Sequence, residues 1–249
     1  MQILTIKKFV VPLQFKPFRV KKTAVILFFL VSVSASLTAQ NRPYIDDKLF
    51  HFGFSLGVNF MAYGTTDSGE VIDGEVYHTR TSGMLPGFSV GFITDLRLAR
   101  YLNLRFCPGM GFASKTISFK RESDEQKTIK TDLLSLPVYI PLYLKWSAER
   151  EVNYRPYLIA GGGISYDVSK DKTKPLLQRP LDYFVEVGFG CDFYYTWFKL
   201  CPQLTYSIGF NNMLTPVEDR PELAKQDEFY TRAIKRLTNH QITLTFNFE

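Results

Sequence analysis

Cysteine and histidine are scarce, three of each in 249 residues. Cys107, Cys191 and Cys201 make an odd set without metal-ligand spacing, so neither a disulfide framework nor a zinc site is indicated. Acid is missing from the first forty residues, where Lys7, Lys8, Lys16, Arg19, Lys21 and Lys22 stand unopposed. Setting those six aside leaves 24 bases against 24 acids, so the formal charge of +6 belongs to the leader and is no sign of a nucleic-acid partner. After the leader there is also no continuous apolar run long enough to span a bilayer as a helix, which rules out an inner-membrane helical bundle.

What the chain does have begins with that leader. RVKKTAVILFFLVSVSASLTAQN joins a basic flank, an apolar run from Ala24 to Leu37, and small or polar residues ending at Ala39. This predicts a secretory signal over 1–39, cut between Ala39 and Gln40, with an uncleaved anchor as the alternative. The run is short for a spanning helix. The basic stretch before Arg19 is unusually long and is compatible with a later translation start. A periplasmic segment over 40–49 and a single domain over 50–249 would follow.

In FHFGFSLGVNF, Phe50, Phe52, Phe54, Leu56, Val58 and Phe60 share one parity, and His51, Gly53, Ser55, Gly57 and Asn59 the other. The pattern recurs in GFSVGFITDLRLA, YLNLRFCPGMGF, LLSLPVYIPLYLKW, YRPYLIAGGGISYDV, DYFVEVGFGCDFYY, FKLCPQLTYSIGF and HQITLTFNFE. Eight period-two segments after a signal predict an all-β fold, antiparallel throughout. Connections alternate long and short. YGTTDSGEVIDGEVYHTRTSG, KRESDEQKTIKTD, SKDKTKPLLQRPL and residues 211–239 are long, while the turns at Arg100, at SAEREVN and near Tyr195–Thr196 are short. That rhythm predicts an eight-stranded up-and-down transmembrane β-barrel with short periplasmic turns and longer outer loops, its large apolar side chains facing lipid. A soluble sandwich or lipocalin is the competing architecture.

Trp146, Trp197, Tyr101, Tyr154, Tyr194 and Tyr195 lie near the short turns, with Phe50 and Phe248 at the same end, which predicts an interfacial girdle. Pivoting the second hairpin on Arg100 sets Asp95 beside Arg105 inside. A two-residue turn at Tyr195–Thr196 sets Phe193 by Phe198 outside and Asp192 by Lys199 inside. That register also puts Cys191 and Cys201 on opposite faces.

The candidate lumen charge network is Asp95, Arg97, Arg105, Lys145, Arg155, Glu186, Asp192 and Lys199, with His51, Asn103, Tyr139, Asp167 and Gln203 on the same side. Eight strands leave room for side chains and not for a wide pore, so the array reads as structural filling ahead of a relay or binding site. His51, His78 and His240 assemble no acid, base and nucleophile. A lipid-modifying enzyme built on His78 with Asp73, Thr79 and Ser82 is the weakest alternative. Gly161, Gly162 and Gly163 lack the helix and Lys-Ser/Thr of a phosphate loop and indicate curvature or close strand approach. Pro108, Pro137, Pro141 and Pro202 predict bulges or local unpairing. DRPELAKQDEFYTRAIKRL, with Asp219 and Glu222 as a capping box and Pro221 at the first turn, predicts an amphipathic outer-loop helix. It would present Leu223, Tyr230, Ile234 and Leu237 to a lid or to a partner.

HFGFSLGVNF, PGFSVGFITDLRLARYLNLRFCPGMGF, LLSLPVYIPLYLKW followed by RPYLIAGGG, and DYFVEVGFGCDFYYTWFKLCPQLTYSIG together resemble the PorT family of Bacteroidota outer-membrane barrels. That family is associated with the type IX secretion system, which exports proteins bearing a C-terminal sorting domain. The resemblance covers nearly the whole mature chain and supplies no catalytic motif. It implies a non-enzymatic role in assembly or operation of the secretion machinery, in the outer membrane of a Gram-negative bacterium. Lipid and other secretion proteins would be the partners, and no cofactor, metal or nucleic acid is expected. A ligand-binding or adhesion barrel is the rival binding class.

Overall fold

In a computed structural model of the chain, the described residues are 46, 48–72, 75–121, 128–169, 176–220 and 228–249. The leader and most of segment 40–49 lie outside them.

Among the described residues there are twelve strands: β1 Phe50–Asp67, β2 Val71–Ile72, β3 Glu75–Met84, β4 Pro86–Arg97, β5 Leu102–Phe106, β6 Gly109–Arg121, β7 Thr128–Ser135, β8 Pro137–Ser147, β9 Tyr154–Asp167, β10 Leu181–Tyr194, β11 Lys199–Gly209 and β12 Ile234–Phe248. All ladders are antiparallel. β3–β4, β5–β6 and β7–β8 each form one interrupted wall, so the ring has eight walls. It closes because β1 pairs with β12 on one side, Phe54 opposite Phe248, and with β4 on the other, Phe50 opposite Leu96. Closure removes the sheet edges that a bilayer cannot solvate.

The alternating faces fall as the parity requires. Phe52, Phe92, Trp146, Leu158, Val187 and Phe189 project outward and exposed, where hydrocarbon satisfies them. Asn59, Asp95, Arg105, Lys145, Asp192 and Lys199 project inward and are buried.

The prolines interrupt the ladder without shifting its register. Thr94–Phe106 and Gly91–Gly109 flank Pro108 in one continuous pairing with β4, and Phe106–Leu142 and Gly109–Tyr139 do so with β8. Pro108 cannot donate, yet its carbonyl still accepts from the Phe92 N–H at 2.9 Å. Pro141 pairs with Gly163 on its other side. A Cβ at Gly163 would lie 2.5 Å from the Ile140 carbonyl oxygen and 2.6 Å from the Pro141 Cα, so close strand approach accounts for that glycine. Pro137 follows the break at Leu136, and Pro202 stays paired with Phe246. Local unpairing is therefore found, and the one register shift in the second wall sits instead between Thr81 and Met84.

Two expectations are corrected. The first and third outer connections are shorter than the sequence rhythm implied, because β1, β3, β6 and β7 run on past the apolar band and pair there. Of the helix expected over 219–237, residues 221–227 lie outside the described residues; among the described ones α1 spans Glu228–Arg232, and a short 3-10 turn lies at Val217–Asp219. Leu223 lies outside the described residues. Ile234 and Leu237 belong to β12, since β1 extends to Asp67 and offers a backbone edge that pairs with them, Thr65 opposite Leu237 and Asp67 opposite Ile234. Ladder hydrogen bonds to an existing strand win over a helical pattern that must cap its own ends.

Candidate functional site

The lumen holds the polar chemistry, in layers. Nearest the short turns, Arg105 donates from Nε to Asp95 Oδ2 at 2.8 Å and from Nη2 to Glu249 Oε1 at 2.5 Å. Asn103 donates to Asp95 Oδ1 at 2.5 Å. Lys199 Nζ lies 2.5 Å from Glu249 Oε2 and 3.9 Å from Asp192 Oδ2. Lys145 Nζ bonds both oxygens of Asp192, at 2.7 and 3.0 Å. The Tyr157 ring stands between the two clusters, its centroid 5.7 Å from the Arg105 guanidinium and 4.1 Å from Lys145 Nζ. Three cations thus meet three anions, each at most 5% exposed at the side chain. Burial of this kind is tolerated only when every charge is matched and hydrogen-bonded.

The register of the β10–β11 turn differs from expectation. Tyr195 donates its N–H to the Phe198 carbonyl at 3.0 Å, so Thr196 and Trp197 form the loop, one residue later than predicted. Phe193 opposes Leu200 and Tyr194 opposes Lys199. Asp192 therefore meets Lys199 diagonally, which explains the long 3.9 Å contact and leaves its bidentate partner as Lys145. Asp95 and Arg105 are directly opposed, as the Arg100 pivot requires.

Three other candidates stand apart from this cluster in role. Arg97 opposes Asn103 at the end of β4 and donates its backbone N–H to the Leu49 carbonyl. Arg155 braces the periplasmic turns, donating from Nε to the Ala148 carbonyl and from Nη2 to the Arg100 carbonyl, both at 2.8 Å. Asp46 lies 3.9 Å from Arg155 and 3.6 Å from Arg150, and accepts from the Tyr194 hydroxyl at 2.8 Å. Tyr194 is therefore buried at the lumen mouth and is not part of the girdle, whose exposed members are Phe50, Trp146, Tyr154 and Trp197. Glu186 sits above the ion cluster, hydrogen-bonded by Thr205 and Tyr143, against a cavity of about 80 Å³ lined also by Gln203, Gln241 and Asn247.

Higher still, Asp167 accepts from Ser135 at 2.5 Å, Gln178 at 2.5 Å and the Leu136 N–H at 3.0 Å. Asp182 accepts from Asn239 at 3.0 Å, whose other amide atom takes Lys115 at 2.8 Å. Above these lies an apolar cap of Tyr63, Ile117, Phe119, Leu133, Leu176, Met213, Ile234 and Leu237. Tyr230 of α1 packs edge-on against Phe119 at 5.0 Å. Ile234 and Leu237 are buried in this cap, packed against the barrel's own residues as in the lid alternative and not open to a partner.

Sequence reasoning missed Glu249, Lys115, Asp182 and Tyr157. Each stands on the lumen parity of its strand, so parity was the signal. For Glu249 it is set by the outward Phe248 beside it.

His78 is oriented by Asp67 at 3.2 Å, and the Thr79 hydroxyl donates to that same carboxylate, which commits the hydroxyl to Asp67. Asp73 lies outside the described residues. Among them, no cluster of three or more His, Cys, Asp or Glu is placed to hold a metal ion.

No curated protein matches the chain. A family model described as outer membrane protein beta-barrel domain matches residues 38–215. Closed ring, lipid-facing apolar band, filled polar lumen and this match agree: the chain belongs to the outer membrane protein beta-barrel domain family and resides in the outer membrane of a Gram-negative bacterium.

Proposed function

We propose that this barrel is a non-enzymatic component required for type IX protein secretion, acting in assembly or operation of the export machinery alongside other secretion proteins. The observation that carries the reading is the filled lumen. Charges from six walls lock together at one end, and an apolar cap closes the other. A polypeptide has no route through such a barrel, which supports an accessory role beside a separate conduit. The PorT-like hairpin around Arg100 and the LPVYIPLYLK strand support the specific system.

The test is a clean deletion in the native bacterium with quantitative proteomics of supernatant and periplasm. Periplasmic build-up of unprocessed sorting-domain cargo, reversed by the wild-type gene, is expected. Normal export would overturn the reading. A second reading, a ligand-binding barrel, draws support from an outer groove of about 570 Å³ lined by Arg179, Asn212, Arg232 and Lys235. It predicts loss of surface binding on loop deletion with export intact.

A further inference from the structure

The lipid-facing wall is not uniformly convex. On its outer side, near the periplasmic turns, lies a concavity of about 480 Å³ lined by Tyr101, Trp146, Ala148, Pro156, Leu158 and Phe189. Trp146, Leu158 and Phe189 stand exposed around it, while the small side chains of Ala148 and Pro156 leave its floor low. The floor is braced by the barrel itself. Ala148 donates its N–H to the Pro156 carbonyl and Ser147 to the Tyr101 carbonyl, both at 2.9 Å. Arg155 ties the Ala148 and Arg100 carbonyls together from inside. A rigid, preformed apolar recess loses little entropy when filled.

Its rim is polar and carries both signs. Glu149 accepts from the Tyr101 hydroxyl at 2.7 Å and from Arg100 Nη2 at 3.3 Å, and the Arg100 guanidinium carbon lies 5.2 Å from the Tyr101 ring centroid. Both charged side chains are well exposed, so each retains capacity for a further partner. The recess opens to the bilayer, and the girdle aromatics put this rim at the height of the lipid headgroups.

We propose that this recess seats one zwitterionic phospholipid of the periplasmic leaflet. An acyl chain fills the space between Trp146, Leu158 and Phe189. The phosphate meets Arg100, and a primary ammonium meets Glu149. An anionic headgroup without an ammonium would gain Arg100 but face Glu149 uncompensated, so the paired charges select the zwitterion.

Two tryptophans in the chain make the test direct. In a Trp197→Phe background, Trp146 is the sole indole and reports occupancy. The full-length barrel is placed in vesicles of equal phosphatidylethanolamine and phosphatidylglycerol, with bromine on the acyl chains of one lipid or the other. Brominated phosphatidylethanolamine is expected to compete for Trp146 about threefold better than brominated phosphatidylglycerol, in the range of one exposed charge pair. Glu149→Gln should bring that ratio to about one, and Ala148→Leu, which fills the floor from the lipid side, should cut quenching by both lipids. Equal quenching by the two lipids in the Trp197→Phe protein, or a preference that survives Glu149→Gln, would overturn the proposal.

Discussion

Near the periplasmic turns the lumen is packed with Arg105, Lys145 and Lys199 against Asp95, Asp192 and Glu249; at the outer end it is packed with Ile117, Phe119, Leu133, Ile234 and Leu237. The same strands build both ends, and in-out parity runs unbroken along β6. Inside the bilayer that strand points Met110 and Phe112 outward and Gly109 and Gly111 inward. Past it, Ile117 and Phe119 point inward and Lys120 outward. The surroundings decide which chemistry each face carries. Hydrocarbon outside demands apolar side chains there and leaves the interior to matched charge, while water outside allows an ordinary hydrophobic core. The exchange of polarity between faces marks where the strands leave the membrane.

The strongest way to break this comparison is to unbalance the ionic end. Asp192→Ala leaves Lys145 and Lys199 without their shared carboxylate, and a loss of about 4 kcal/mol is expected in denaturant unfolding of the refolded barrel. Replacing Lys145 by Met as well should recover part of that loss, because the burden is the uncompensated cation.

The outer wall offers the next test. Val187→Arg at the lipid-facing middle of β10 should cost about 3 kcal/mol, and Ser114→Arg, just past the exchange point on β6, less than about 1 kcal/mol. Equal costs would misplace the boundary.

At the apolar end, Leu237→Ala should cost about 2.5 kcal/mol. Its effect should be confined to the cap, read as faster amide exchange at Tyr63 and Ile117 with the ionic end unchanged. Equal loosening at both ends would deny that they are separate packing units.

The smallest effect concerns pH. Partial burial raises the Asp67 carboxyl, but the Thr79 hydroxyl and backbone N–H and the His78 ring outweigh it and hold it below its ordinary value. A lowered carboxyl contributes its full stability above the ordinary value, about 4, and loses it as pH falls through the lowered one. Protection of the Thr79 amide, which donates to Asp67 Oδ1 at 2.9 Å, should therefore drop on acidification below about pH 4. In Asp67→Asn no such step should occur.

Much of this could be read from the residues, and the misses are physical. Parity sorted Asp95, Arg105, Lys145, Asp192 and Lys199 inward because the side-chain period of a strand is two. The Arg100 hairpin was predicted correctly, with Asp95 directly opposite Arg105. The Tyr195 hairpin slipped by one residue because two adjacent two-residue turns satisfy the same parity, and only the wider ladder to β9 and β12 separates them. Ile234 and Leu237 looked helical because their spacing is, and the stretch of β1 that captured them is remote along the chain, 172 residues away in the Thr65–Leu237 ladder pair.

The sequence by itself determined the fold class, the lipid-facing side of each wall and the residues available to the lumen, since alternation is local and survives without any knowledge of the partner strand. Tertiary structure alone decided who meets whom: Arg105 with Glu249 across 144 positions of chain, Lys145 with Asp192, and the height at which core replaces charge. Those choices depend on ring closure and on the stagger between walls, which are properties of all eight pairings together and of no single stretch.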